Sequence, residues 1–252
     1  MQIDDLIVLG RGCPDRIKDG RVTVCTAGYS TKHGFVRIYP TRRDAPLNTW
    51  NVISVEVERA DKDTREESWK IVGSKSEWEK LSEKIQVHGR FPAHKRIDLI
   101  SSLVDDCVVS INEARRSLGI VRPVVRRYYI DRKGQFEKDI QTELFGGDVV
   151  LTKGNYAVQP RIAYSCGPKC RLREGHDQQV IEWGFFEWFR KNSENPDQVW
   201  DNARIVDPNY AKFLFVGNQW LHRTSFLVIE ILRMRRRPVS PPLVPFHKIP
   251  PA

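Results

Sequence analysis

Four short apolar runs fill much of the first 58 residues, at positions 6–9, 22–27, 34–39 and 52–58, with Gly, Pro and Asp between them. The last is the most regular. Ile53, Val55 and Val57 alternate with Ser54, Glu56 and Glu58. A period of two belongs to a strand with one dry and one wet face. Four such strands separated by turn residues predict a small curled sheet or a barrel in the N-terminal half.

The pattern changes beyond residue 70. Ser76 stands as a helix cap ahead of Trp78, Leu81 and Ile85, which share one helical face. Further helical stretches are expected at 93–104 and at 110–118, the latter stopped by Gly119, and a strand at 121–132. Residues 134–155 are mixed, with a turn at Gly146-Gly147. An extended segment at 156–166 leads into a Cys/Gly/Pro-rich loop at 166–176 and an aromatic-rich helix at 179–192. Residues 210–216 and 225–232 are almost wholly apolar and read as buried strands joined by a loop holding Gly217-Asn218. The expected fold is therefore α+β: a strand-rich N-terminal half, helices in the middle, and a second small sheet with the Cys/His loop in the C-terminal half. Residues 1–120 and 121–237 form two regions, or one continuous domain, and a Pro-rich tail spans 238–252.

Charge narrows the function. The 252 residues include 41 Lys and Arg against 32 Asp and Glu, a formal net charge of +9. A field of that sign attracts polyanions, so DNA or RNA is the expected partner. The N-terminus, Met1-Gln2-Ile3-Asp4-Asp5, is acidic where a secretory signal is basic. The longest apolar run, 226–232, is short and contains Glu230, so no membrane span is expected. Cytoplasm is the predicted compartment. There the five cysteines read as thiols or metal ligands, not a disulfide framework.

The sharpest local pattern is Cys166-Gly-Pro-Lys-Cys170-Arg-Leu-Arg-Glu-Gly-His176. Two thiols with three residues between them on a Gly/Pro turn can face one ion, and His176 can supply a third ligand. Sulfur and nitrogen donors in that spacing point to zinc. The fourth ligand is open between Asp177, Cys25, Cys13, His222 and water. Three cationic segments are candidates for nucleic-acid contact. Arg122, Arg126, Arg127, Tyr128 and Arg132 lie on the 121–132 strand, where arginines and tyrosines together can hold phosphates and stack on bases. Lys169, Arg171 and Arg173 stud the Cys/His loop, and Arg233, Arg235 and Arg236 precede the Pro-rich tail. Arg37 and Arg65, at strand ends beside acids, an aromatic and a hydroxyl, could line a small polar pocket. His176, Asp177, Glu182 and Glu187 are the candidates for metal-dependent hydrolysis, although Glu182 and Glu187 do not share a helical face.

Three segments together resemble a group of uncharacterised bacterial and phage proteins. They are the strand ending Val36-Arg37-Ile38-Tyr39-Pro40, the stretch Asp63-Thr-Arg65-Glu66-Glu67-Ser68-Trp69, and the block from Cys166 to Trp183. Ile38 and Glu182 stand where the group has leucine and aspartate. The resemblance implies a shared fold and a shared site around Arg37, Arg65, Cys166, Cys170 and His176. Three functional classes follow: a nucleic-acid-binding protein with a structural zinc site, a metal-dependent nuclease, and a non-catalytic scaffold or regulatory protein.

Overall fold

The structure, a computed structural model, describes residues 1–60, 62–132 and 156–236. The expected turn at Gly146-Gly147 and the Pro-rich tail lie outside the described residues. The first half contains β1 (Gln2–Arg11), β2 (Asp15–Arg16), β3 (Val22–Ser30), β4 (Gly34–Thr41), β5 (Asn51–Arg59), β6 (Ser68–Ile71) and β7 (Ile85–Arg90). β1 pairs antiparallel with both β3 and β5. β3 pairs with β4, β4 runs parallel to β6, and β6 returns antiparallel to β5. The ring β1-β3-β4-β6-β5 therefore closes into the five-stranded barrel that the strand spacing anticipates. Closure leaves these five strands without a free edge, while β7 adds to β5 from outside and β2 to β3.

The alternation in β5 has its expected cause. Ile53, Val55 and Val57 point into the barrel, where they meet Ile3, Leu6, Val8, Val36, Ile38 and Ile71. Glu56 and Glu58 are exposed. Ser54 is covered because β7 lies over it, and its Oγ sits 2.8 Å from His88 Nε2. β1 is buried from Leu6 to Gly10 because it has two dry faces there. Leu6 and Val8 fill the barrel, while Ile7 and Leu9 pack outward against a second layer.

That layer comes from the rest of the chain. After a 3₁₀ turn at Trp78–Lys84 and another at Ala93–Lys95 come α1 (Arg96–Ser102), β8 (Val104–Asp105), α2 (Val108–Glu113), β9 (Leu118–Val121) and β10 (Val124–Arg132). Then follow β11 (Val158–Ser165), β12 (His176–Gln179), α3 (Trp183–Lys191), a 3₁₀ turn at Pro196–Gln198, α4 (Val199–Asn202), β13 (Tyr210–Asn218) and β14 (Phe226–Arg235). Two sheets result, in place of the one expected: β14-β13-β9-β8 and β10-β11-β12. The four-stranded sheet packs Leu118, Ile120, Phe213, Phe215 and Ile229 onto the outside of the barrel at Ile7, Leu9, Ala27 and Trp50. Phe35 of β4 stacks on Phe215 with ring centroids 5.8 Å apart. A third core lies between the two sheets and α3, centred on Ile162, Tyr164, Phe185, Phe186, Leu214 and Val228.

Local expectations and structure part in several places; Ile85, expected on a helical face, opens β7, and Val104, expected to end a helix, lies in β8. The helix expected at 110–118 ends at Glu113, because Leu118 and Gly119 are taken into β9 by pairing with β13. Gly119 lies so close to α2 that a Cβ there would sit 2.4 Å from Ile111 Cδ1. The helix expected from 179 starts only at Trp183, since Gln179 ends β12 and Val180 bridges to Val228. Gly217-Asn218 belongs to β13, not to the connecting loop. Ser76 caps nothing: the turn after it is 3₁₀, preceded by Glu77 with no side-chain cap.

Candidate metal centre and the cations around it

β11 and β12 form a hairpin in which Tyr164 faces His176, and the chain between them is the Cys/His loop. Cys166 follows the last residue of β11. The loop turns at once, with Cys170 N–H donating to the Gly167 carbonyl at 3.1 Å. It closes at Gly175, whose positive φ of 74° suits glycine and whose missing Cβ makes room for the Tyr164 carbonyl. These turns bring Cys166, Cys170 and His176 together, as their spacing predicts.

The fourth group is Cys107. It sits in extended conformation immediately before α2, fully buried, and reaches the loop from the direction of the four-stranded sheet. Cys107 Sγ lies 3.4 Å from His176 Nε2 and 4.0 Å from Cys170 Sγ, and Cys170 Sγ lies 3.5 Å from the same nitrogen. The ligand atoms of Cys107, Cys166, Cys170 and His176 all lie within 4.8 Å of one another. Metal–sulfur and metal–nitrogen bonds of about 2.3 and 2.0–2.1 Å at tetrahedral angles need separations of about 3.8 Å between sulfurs and 3.5 Å from sulfur to nitrogen. The four side chains are thus close enough to hold a metal ion.

Their environments differ. Burial pushes the Cys166 thiol well up from its usual range, partly offset by the Val108 backbone N–H. Desolvation also acts on Cys170, but the backbone at Cys166 and Leu172 and the neighbouring thiols outweigh it and bring that group down. Burial lowers His176, which favours the neutral imidazole that binds metals.

The open fourth position is therefore filled by a residue outside the expected set. Asp177 follows His176 on a strand and so faces the other way. Its carboxylate accepts from the Tyr129 hydroxyl at 2.7 Å and Arg161 Nε at 3.0 Å. Cys13 packs in the core between the sheets, and Cys25 and His222 line a separate cavity. Cys107 gave one signal, a cysteine directly before an apolar helix start, but nothing in its spacing ties it to a loop so far along the chain.

The carboxylates considered for hydrolysis do not converge on His176. Glu182 is buried at the start of α3, accepts from Ile231 N–H at 2.9 Å and lies 3.5 Å from Arg233 Nη1. Glu187 pairs with Arg190 and accepts from the Trp183 indole. Among the described residues, Cys107, Cys166, Cys170 and His176 form the one group of three or more potential ligand residues this close together.

The cations divide into three sets. Arg37 and Arg65 are inside the molecule. Arg37 is 2% exposed, and Arg65 is held by Asp63 and the Asn218 carbonyl. A second set is neutralised locally: Lys169 by Asp106 at 3.0 Å, Arg171 by Glu113, and Arg233 by Glu182. Arg122 lies over the Phe213 ring. The third set is open. A register shift between Val125 and Arg127 makes Arg126 an extra residue, which changes the side on which the later side chains fall. Arg122, Arg126, Tyr128 and Arg132 thus do not form the single face that simple alternation predicts. Tyr128 packs on Trp200 instead, while Arg127 lies over Tyr129. Arg126 donates to the Glu174 carbonyl at 3.0 Å, joining β10 to the Cys/His loop and bringing exposed Arg126, Arg127 and Arg173 into one neighbourhood. Arg235 and Arg236 are exposed on and after the last strand.

No described helix is long and apolar enough to cross a membrane. Neither the curated proteins nor the solved structures contain a match to this chain. Residues 2–101 match a family described as "Domain of unknown function (DUF8758)", a stretch that takes in the barrel and stops short of Cys107.

Proposed function

We propose that this chain is a nucleic-acid-binding protein whose Cys107–Cys166–Cys170–His176 centre holds a structural zinc ion. The observation that carries the reading is the convergence of three thiols and one imidazole, drawn from the β8–α2 connection and the β11–β12 hairpin, on a single ligand-sized space. Three sulfurs and one nitrogen are a donor set that favours zinc over the oxygen-seeking cations. With all four positions taken by protein, no site remains for water, so the ion would act in folding and not in hydrolysis. It would fix α2 to the β11–β12 hairpin and with it the loop that Arg126 joins to β10.

Nucleic acid enters through the net charge of +9 and through the exposed arginines gathered beside that loop. A five-stranded barrel is also an architecture that accommodates oligonucleotide sites. Here the outer face of β3 and β4 is packed under the four-stranded sheet, so the proposed surface is the β10 and Cys/His-loop region instead. Binding of the full chain to generic single-stranded and duplex DNA and RNA, followed across salt concentrations, tests it. The reading expects affinity to fall with salt, and charge reversal at Arg126, Arg127 and Arg173 to weaken binding and flatten the salt slope by about one unit per lost phosphate contact. Absence of binding at low salt overturns it. The local pairing of Lys169, Arg171 and Arg233 with acids favours a second reading, a scaffold with no nucleic-acid partner, and the same titration separates the two.

A further inference from the structure

The most deeply buried charged side chain among the described residues is Arg37, and no carboxylate forms an ion pair with it there. It projects from β4 beneath the four-stranded sheet. One terminal nitrogen, Nη2, donates to the Ser117 carbonyl at 3.0 Å. The other, Nη1, is shielded from solvent and has no hydrogen-bond partner. The acids whose fields reach it are committed elsewhere. Glu67 accepts from the Ser117 N–H and hydroxyl, and Asp63 accepts from Arg65. A guanidinium sealed from water without an anion is costly, by several kcal/mol as a rule.

Arg37 also forms part of the wall of a cavity of about 560 Å³ between the barrel and the β13–β14 strands. Polar side chains in its lining include Arg37, Arg65, Thr23 and Tyr39; exposed Asp15 also lines it, its carboxylate accepting from the Arg16 N–H. Apolar side chains in its lining include Ile181, Leu227 and Ile229. Trp220 and Leu221, on the loop between β13 and β14, add large apolar groups that are 43% and 73% exposed. Gly217 permits the arrangement, since a Cβ there would sit 2.9 Å from Arg37 Nη2.

We propose that this cavity is a binding site for a small molecule with one anionic group, phosphate or carboxylate, on an apolar or aromatic body. The anion would balance the Arg37 charge from within the cavity, and the body would lie along the apolar lining and against Trp220. The volume is within the usual range of about 300–1,000 Å³ for small-molecule sites. The site is independent of the metal centre and of nucleic-acid binding.

Calorimetric titration of the full chain with phenyl phosphate, benzoate, inorganic phosphate and neutral benzamide tests the proposal. At least one of the two aryl anions binds more tightly than inorganic phosphate, and benzamide does not bind. The stronger of the two tells phosphate from carboxylate. Arg37→Lys keeps the charge but loses the fork, and affinity for the aryl anion falls about tenfold. Trp220→Ala, at an exposed position that leaves the fold intact, lowers it about fivefold or more. Failure of both aryl anions to bind at millimolar concentration overturns the proposal. So does binding that Trp220→Ala and a folded Arg37→Lys leave unchanged. Should Arg37→Lys not fold, the Trp220→Ala result and the benzamide control decide alone.

Discussion

Gly217 shows how much a single residue position can hold. Its hydrogen stands where a methyl group would meet Ile229 Cδ1 at 2.6 Å, Arg37 Nη2 at 2.9 Å and Leu118 Cδ2 at 3.0 Å. Gly217→Ala is expected to cost about 1–3 kcal/mol through overpacking, read as a lower urea midpoint. An unchanged midpoint would mean that the neighbours yield freely. Glu230 offers a second test. Burial and the neighbouring Glu182 hold its carboxyl well above the usual carboxylate range, with Arg233 opposing them. A carboxyl raised in the folded state contributes stability below its unfolded pKa and loses it as pH rises through the folded one. Glu230→Gln should therefore gain stability relative to the parent at pH 8 and gain less at pH 4. Equal differences at the two pH values would contradict the shift. Residue-level legibility was uneven for a physical reason. The side-chain period of a strand exposes Ile53, Val55 and Val57 to any reader, because it is set locally. The burial of Arg37 and the role of Cys107 depend on which strand lies across from which, and local pattern does not encode that.

Elements built from short-range signals were the legible ones. The barrel strands carry their alternation and turn residues in sequence, and the Cys166–His176 loop carries its own spacing and glycines. Elements decided by pairing were not. Leu118 ends a helical pattern in the sequence but opens β9 because β13 lies beside it, and Arg126 becomes a bulge because β11 fixes the register. The glycines at the two ends of the loop make a comparison. Gly167 and Gly175 both have positive φ, yet a Cβ at Gly167 meets nothing, whereas one at Gly175 lies 2.5 Å from the Tyr164 carbonyl oxygen. Both alanine variants strain the backbone, but Gly175→Ala also pushes β11 from β12. It is expected to weaken metal binding more than Gly167→Ala, in a competition titration with a chromogenic chelator. Equal affinities would show that the hairpin does not set the loop.

At the scale of the whole molecule, three cores meet in series: the barrel interior, the barrel's outer face under the four-stranded sheet, and the space between the two sheets and α3. Phe215 belongs to the middle one and stacks on Phe35 of the barrel. Phe215→Ala should lower stability by about 3–5 kcal/mol in denaturant unfolding. A loss below about 1 kcal/mol would mean the two layers hardly depend on that contact. The candidate metal centre sits at another junction, where Cys107 comes from the β8–α2 connection and the other three potential ligands from the β11–β12 hairpin. Metal content measured by elemental analysis of the purified full chain, for the parent and five single variants, tests that centre most directly. Close to one zinc per chain is expected in the parent and in Cys13→Ser and Cys25→Ser, and a loss of zinc in Cys107→Ser, Cys170→Ser and His176→Ala. A parent without bound metal, or a Cys107→Ser protein with undiminished zinc, would contradict it.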